Sequence, residues 1–321
     1  MNQNKSLPLE IVILLVILLT VGCTASRDSV WTTNKIPTMV AVNEKIAFVH
    51  RDENTLSENI YVVNVDGSGL RPLTTEKNNT INPDWSPDGE HIVFSALTNG
   101  VNQIYKIKSD GSDLRQLTFG DYSSYNPAWS RDGKYLLFLS LIGDSSADNG
   151  LPLQQGYIMN SDGSEQRRLT DGSSFVTAIS WYKDNNLISV SSADTRYKLR
   201  VRVIDSNGTV QDQIPEFIID GSPNWSPNGE TIVYTPFVVR VNCSGIVLFS
   251  ISNFKQECIV IDPIVPPAIS KTPSWSPDGQ YIIFSSNRDG DFDLYITKID
   301  GSELEQVTNM PGDELSPVWA P

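Results

Sequence analysis

Two histidines and three cysteines are the only imidazole and thiol ligands in a chain that also carries 38 acidic residues. His50 ends one apolar run, and His91 stands just behind a Ser-Pro-Asp-Gly turn. The two fall at opposite ends of their structural units, so a shared histidine metal centre is not expected. No Gly-x-Ser-x-Gly elbow is present to present a nucleophilic serine. Asp289-Gly290-Asp291-Phe292-Asp293 spaces three carboxylates at i, i+2 and i+4, as a calcium-binding loop does at its start. The downstream glutamate and the loop glycine of such a site are missing, so a hairpin turn is the better account. Carboxylate pairs could act as acid and base if the fold joined them, but the sequence does not pair them. The expectation is a binding protein without catalysis, cofactor or metal; the alternatives are a carbohydrate or metal ion bound at the mouth of a central channel, or a channel-type lyase or hydrolase.

Contact residues are the remaining chemistry. Connections at 75–84, 119–128, 171–180, 216–224, 265–274 and 309–318 are long and variable, and loops on a rigid scaffold often carry function. They hold Glu76, Asp84, Asp121, Asp171, Glu216, Asp220, Asp313 and Glu314 against Lys77 and Lys271. Aromatic residues Phe119, Tyr122, Tyr125, Phe175 and Phe217 share the same segments. From this set Glu76, Asp121, Tyr122, Tyr125, Asp171, Asp220, Asp313 and Glu314 are the candidates for partner binding. The plain alternative is solvated loops whose aromatics pack between neighbouring units. A long insertion, 143–156, with Asp144, Asp148 and Asn149 is a further contact candidate. The formal net charge of −14 repels phosphates and anionic headgroups, so nucleic acid is not an expected partner.

The elements that must position these residues repeat. Trp85, Trp129, Trp181, Trp225, Trp275 and Trp319 recur in one frame, at the spacing of propeller blades. Ser86-Pro87-Asp88-Gly89, Ser130-Arg131-Asp132-Gly133, Ser226-Pro227-Asn228-Gly229 and Ser276-Pro277-Asp278-Gly279 follow four of them. Proline presets φ, Asp or Asn bonds the local backbone, and glycine takes positive φ, so each is a tight turn. The copy at Tyr182-Lys183-Asp184-Asn185 has decayed. Behind the turns come buried-strand runs such as Ile92-Val93-Phe94 and Ile282-Ile283-Phe284, then a second run such as Ile104-Tyr105. Asp66-Gly67-Ser68, Asp110-Gly111-Ser112, Asp162-Gly163-Ser164 and Asp300-Gly301-Ser302 close hairpins, and a short Leu-Thr or Val-Thr strand ends each unit. Four antiparallel strands per unit and almost no helix are expected.

The composite Pro-x-Trp-Ser-Pro-Asp-Gly, strand, Asp-Gly-Ser and Leu-Thr resembles the TolB-type β-propeller repeat, most cleanly at residues 271–308. The resemblance covers residues 44–321 and implies an all-β, six-bladed β-propeller of four-stranded antiparallel blades. It also implies contact with an envelope protein, since propellers of this type serve as interaction modules there. Lys45 to Val49 matches the second strand of a blade, and Ser316 to Pro321 matches a first strand. The C-terminal strand is therefore expected to join the N-terminal blade and close the ring. A competing register puts Thr38 to Val42 in the first-strand position.

Residues 1–22 read as a signal peptide: Lys5 precedes an apolar core, Ile11 to Leu19, that is too short to span a bilayer. Leu19-Thr20-Val21-Gly22-Cys23 resembles the lipobox of bacterial lipoproteins, which implies lipidation of Cys23 and a membrane anchor through that lipid alone. Residues 23–43 then form a polar spacer containing Trp31. An extracytoplasmic protein, tethered to the cell membrane or the outer membrane, follows. Export also permits a disulfide between Cys243 and Cys258. If 245–251 and 257–261 pair about Asn253-Phe254, Cys258 faces residue 249, too far from Cys243 for a bridge unless 237–244 folds back.

Overall fold

The computed structural model describes residues 44–75, 79–141, 153–182, 187–193, 199–213, 224–236, 245–260 and 268–321. All lie in one compact unit, Ile36–Pro321. The leader, Cys23, the spacer, Glu76, Glu216, Phe217, Asp220, Cys243 and residues 142–152 of the insertion lie outside the described residues.

The described residues form strands and turns and no helix. The first blade contains β1 (Lys45–Asp52), β2 (Glu58–Asn64) and β3 (Arg71–Pro72). The second has β4 (Thr80–Trp85), β5 (His91–Thr98), β6 (Val101–Lys108) and β7 (Arg115–Gln116). The third has β8 (Ser124–Trp129), β9 (Tyr135–Ser140), β10 (Gln155–Asn160) and β11 (Arg167–Arg168). The fourth has β12 (Phe175–Tyr182), β13 (Leu187–Ala193), β14 (Leu199–Asp205) and β15 (Val210–Gln213). The fifth has β16 (Asn224–Trp225), β17 (Thr231–Tyr234), β18 (Ile246–Ser250) and β19 (Gln256–Val260). The sixth has β20 (Ser270–Trp275), β21 (Tyr281–Ser286), β22 (Asp293–Lys298) and β23 (Glu305–Gln306).

The last strand, β24 (Gly312–Trp319), completes the first blade in the order β24-β1-β2-β3. Ile46 faces Trp319 and Asp52 faces Gly312 across this pairing. Ring closure by the C-terminal strand is thus the observed register. The position that the competing register gave to Thr38 to Val42 is filled by β24.

Alternation along each strand explains why the runs are apolar without interruption. Ile46 and Phe48 pack against Tyr281 and Ile283 of the sixth blade, while Ala47 and Val49 pack against Trp85, Ile92 and Phe94 of the second. Both faces of a blade are buried, so both sets of side chains must be apolar. Among the described residues each of the six neighbouring blade pairs shares one such cluster. Each fully buried Ile, Leu or Phe contributes about 1.5–3 kcal/mol, so the ring is held by the core between blades as much as by its strand ladders.

Turn chemistry is repeated in detail. Ser86 Oγ accepts the His91 N–H at 2.8 Å and donates to Asp88 Oδ1 at 2.5 Å, and Asp88 accepts the Glu90 N–H at 2.9 Å. Gly89, at φ 69°, supplies the left-handed residue. Serine 130, 226 and 276 make the same bond to residues 132, 228 and 278. Residues 183–186 of the decayed copy lie outside the described residues.

Two expectations are corrected. The β18–β19 hairpin turns on residues 251–254, with Phe254 left-handed at φ 56° and Ser250 N–H bonded to Lys255 O at 2.9 Å. Cys258 therefore faces Val247, two residues closer to Cys243 than expected. Cys258 is half-buried and disulfide-bonded. The second correction concerns the connections between blades. The innermost strands begin at Thr80, Ser124, Phe175, Ser270 and Gly312, well inside segments expected to be loops. Asn82, Asn126, Thr272 and Ser316, each before a proline, are left-handed at φ 54°, 53°, 46° and 52°. Each sits at a register shift of its pairing. The bulge lets a strand continue through proline, a residue that otherwise marks an edge or an end.

Candidate functional site

The short turns gather on one face, and the connections between blades gather on the other. On the connection face a groove of about 500 Å³ is lined by Thr98, Asn99, Val101, Gln116, Phe119 and Asp121, among others. Its floor is rigid. Gln103, 2 % exposed, donates from Nε2 to the carbonyls of Gly120 and Tyr122 at 3.0 and 3.2 Å and accepts the Thr118 hydroxyl at 2.7 Å. The Tyr105 hydroxyl joins Thr98 to Gln116 at 2.8 and 3.0 Å. This network fixes the loop 119–123, which holds Phe119 in solvent at 74 % exposure with Tyr122 at 49 %. Among the described residues that line the groove, Asp121 is acidic and none is a lysine or arginine.

The sequence-derived contact residues divide. Asp121 is exposed and lines this groove, and Tyr122 is exposed next to it on the same loop. Asp171 is exposed beside a smaller cleft formed with Thr170 and Arg202. Its carboxylate caps Ser173 through the hydroxyl and the N–H at 2.6 and 2.9 Å, which holds it below the usual carboxylate range. Tyr125 belongs to β8, half-buried, with its hydroxyl donating to Gln154 Oε1. Asp313 is half-buried and accepts the Phe292 N–H at 3.3 Å. Glu314 corrects the expectation of an exposed contact: it is fully buried in β24, 3.0 Å from His50 Nδ1. Glu76 and Asp220 lie outside the described residues. Sequence reasoning named Phe119 as one aromatic among five; its solvent exposure follows from the Gln103 network, which spacing does not reveal.

Three groups of ionisable residues have other settings. Asp84, in β4 just before Trp85, accepts the Trp129 N–H at 2.7 Å and so ties the second blade to the third. Crowding by protein raises its carboxyl to about 7, against the pull of the Trp129 and Trp85 N–H groups. Asp289, Asp291 and Asp293 go three separate ways. Asp289 accepts the Tyr295 hydroxyl at 2.6 Å, Asp291 accepts the Gly312 N–H at 3.1 Å, and Asp293 accepts from Gln306 at 2.9 Å. They are hairpin and seam residues rather than a shared cation loop. Among the described residues, Asp88, Glu90 and His91 bring three potential ligand atoms within 4.8 Å of one another. They lie on the turn face, where Asp88 is already engaged by Ser86 and Glu90.

Six four-stranded blades closed by the C-terminal strand define a β-propeller. The chain belongs to the TolB β-propeller family: the family model described as PD40, TolB beta propeller domain, matches residues 26–150 and 189–321. No curated protein matches the chain in sequence. Among solved structures, TolB from Acinetobacter baumannii is similar with a TM-score of 0.69 at 20 % identity, over 87 % of this chain and 67 % of that one. Hydrazine synthase of Kuenenia stuttgartiensis aligns with a TM-score of 0.68 at 15 % identity, over 88 % of this chain. The match spans 47 % of the hydrazine synthase chain, about half its length. An oligogalacturonate lyase in complex with manganese aligns with a TM-score of 0.52 at 13 % identity, over 79 % of this chain and 85 % of that one. At such identities the likeness is one of fold, and one fold hosts many activities.

Proposed function

We propose that this chain is a lipid-anchored protein of the bacterial envelope whose propeller binds a protein partner without catalysis. The observation that carries the reading is Phe119, three-quarters exposed at the rim of a groove that Asp121 also lines. Exposed aromatics on fixed loops are strong anchors for a partner, and a chain of net charge −14 favours a basic one. The family likeness supports an interaction module, and the lipobox-like Leu19 to Cys23 supports a tether that leaves the ring free.

A photo-crosslinking residue placed at Phe119 or Tyr122 in the native host tests this. Adducts are expected from those positions and not from Asp110 or Asp300 on the turn face. Phe119→Ala is expected to reduce the adduct at Tyr122 at least tenfold, and Asp121→Lys to weaken it mainly at low salt. Adducts arising only from the turn face would place the partner on the other side of the ring and end the proposal.

A second reading has one observation in its favour. Phe119 with Asn99 and Gln116 beside it offers an apolar platform flanked by amides, as a sugar ring would require. In that case Phe119→Ala abolishes binding of oligosaccharides, while Asp121→Lys leaves it free of salt dependence.

A further inference from the structure

Three ionisable side chains are buried together where the last strand meets the first blade. Glu314 of β24 is fully buried, Asp293 at the start of β22 is 2 % exposed and His50 of β1 is 7 % exposed. Glu314 Oε1 lies 3.0 Å from His50 Nδ1, and its Oε2 accepts the Thr308 hydroxyl at 3.1 Å. Asp293 Oδ2 accepts from Gln306 Nε2 at 2.9 Å, while Asp293 Oδ1 is buried without a donor. The Glu314 N–H donates to the carbonyl of Phe292, the residue before Asp293, so a fully ionised Asp293 would leave that oxygen unsatisfied beside a second carboxylate.

Other blades show what this arrangement replaces. The place of Asp293 is taken by Asn59, Gln103 and Gln155 in the first three blades. There a threonine hydroxyl donates to the amide oxygen, from Thr118 to Gln103 at 2.7 Å, Thr170 to Gln155 at 2.6 Å and Thr74 to Asn59 at 3.3 Å. The place of Glu314 is taken by Thr80, Ser124 and Ser270 in the second, third and sixth blades. Those networks are neutral and need no added proton. At the seam both positions are carboxyls, and one proton between them would supply the donor that hydroxyls supply in the other blades.

We propose that Asp293 and Glu314 share one proton across the seam between the sixth and first blades, and that this proton latches β24 into the ring. Burial raises the Asp293 carboxyl well above the usual range, with the hydrogen bond and charge of Glu314 and the charge of Asp291 adding to it. The groups facing the pair are fixed on every side. From β1 comes His50, with Tyr61 of β2 edge-on to its ring at 5.1 Å. From the β21–β22 connection come Asp289, Asp291 and Arg288, the first two held by Tyr295 and Gly312 and the last over the Tyr295 ring at 4.9 Å. Asp313 of β24 meets the Phe292 N–H, and Lys271 of β20 lies over the Phe292 ring at 4.1 Å. His50 is therefore the base in hydrogen-bond contact with the pair.

The direction follows from the reference state. An unfolded Asp293, at its ordinary value of 3.8, has lost its proton at neutral pH, while the folded seam keeps it. Closure is then firmest at low pH and loosens as pH rises toward the raised folded value. One linked proton changes the opening equilibrium by up to about tenfold per pH unit.

Hydrogen exchange of β24 amides in the whole chain between pH 6 and 9, corrected for intrinsic rates, reads the opening directly. Protection of β24 is expected to fall by up to about tenfold per pH unit while β8 and β20 hold. Asp293→Asn supplies the neutral amide of the other blades and should keep β24 protected while removing its slope; Glu314→Gln should do the same from the other partner. Infrared difference spectra of wild type at pH 7 should show a protonated carboxylic acid that Asp293→Asn removes. The latch is overturned by a slope that survives both substitutions, by one shared by all the inner strands, or by absence of the protonated band. Loss of β24 protection at every pH in both variants would overturn it too, since the pair would then be a structural contact without proton linkage.

Discussion

Asp84→Asn is expected to stabilise the protein, and only above acidic pH. The side chain bridges two blades by accepting the Trp129 N–H at 2.7 Å, and an amide oxygen can accept the same bond. Asparagine already stands at this place in the fifth blade, as Asn224, so its size fits the strand. What changes is the proton. The folded carboxyl titrates at about 7 against an ordinary 3.8 because protein crowds it. For an acid raised on folding, the folded state holds a proton that the unfolded state has released, and stability is lost as pH rises between those two values. Above pH 7 the full penalty is present, at most about 4 kcal/mol. Asp84 is only partly buried, and the water that reaches it lowers the figure to about 2 kcal/mol. In a domain of this size that is a gain of about 5 °C in melting temperature. Melts of wild type and variant at pH 4 and pH 8 measure it: the two should coincide at pH 4 and separate at pH 8. A variant that melts no higher than wild type at pH 8, or by a margin that ignores pH, refutes the reasoning.

Other consequences are open to single measurements. Deleting Pro317 to Pro321 removes Trp319, which packs against Tyr281 and Ile283; the loss of that side chain alone costs about 3–5 kcal/mol, so a truncated chain that unfolds in denaturant like wild type would deny β24 its role. Cys243 is the expected partner of Cys258, and peptide mapping under non-reducing conditions should recover the two in one linked fragment. A link to Cys23 instead would remove the lipid anchor as well. Cys23→Ala should abolish incorporation of labelled fatty acid in a bacterial host, and wild-type protein that takes up no label would end the lipoprotein reading.

Residues whose meaning is local were legible from sequence. The tryptophan frame and the Ser-Pro-Asp-Gly turns declare the blade because each turn is built within six residues, as Ser86, Asp88 and His91 show. Closure was legible too, since the fragments at Lys45 and Trp319 complete one unit. The extent of the inner strands was not. Proline at 83, 127, 273 and 317 looks like a strand end, and only the left-handed residue before each lets the strand pass through. Glu314 therefore reads as a loop residue in the sequence, and its partner His50 lies 264 residues away, beyond any local pattern. The sequence sets Cys258 two residues away from its observed partner because the turn centre depends on Phe254 adopting positive φ, a conformation its side chain does not announce.

A ring of repeats supplies its own internal control. Positions that every blade treats alike, such as the serine that bonds its turn, answer to the fold. Positions where one blade departs from the rest ask for a separate cause. The residue before each inner tryptophan is Asp84, Ala128, Ser180, Asn224, Ser274 or Val318, so the strand tolerates almost any small side chain, and the ionised one is the exception. The seam departs in the same way, with carboxyls where other blades use amides and hydroxyls. Phe119 follows Leu117-Thr118, where Leu73-Thr74 and Leu169-Thr170 are followed by Thr75 and Asp171, so the exposed aromatic is no part of the repeat. The seam pair is buried, Asp84 is partly buried, and Phe119 faces solvent. That difference is why stability against pH is the right measure for Asp84 and Asp293, and capture of a partner the right one for Phe119.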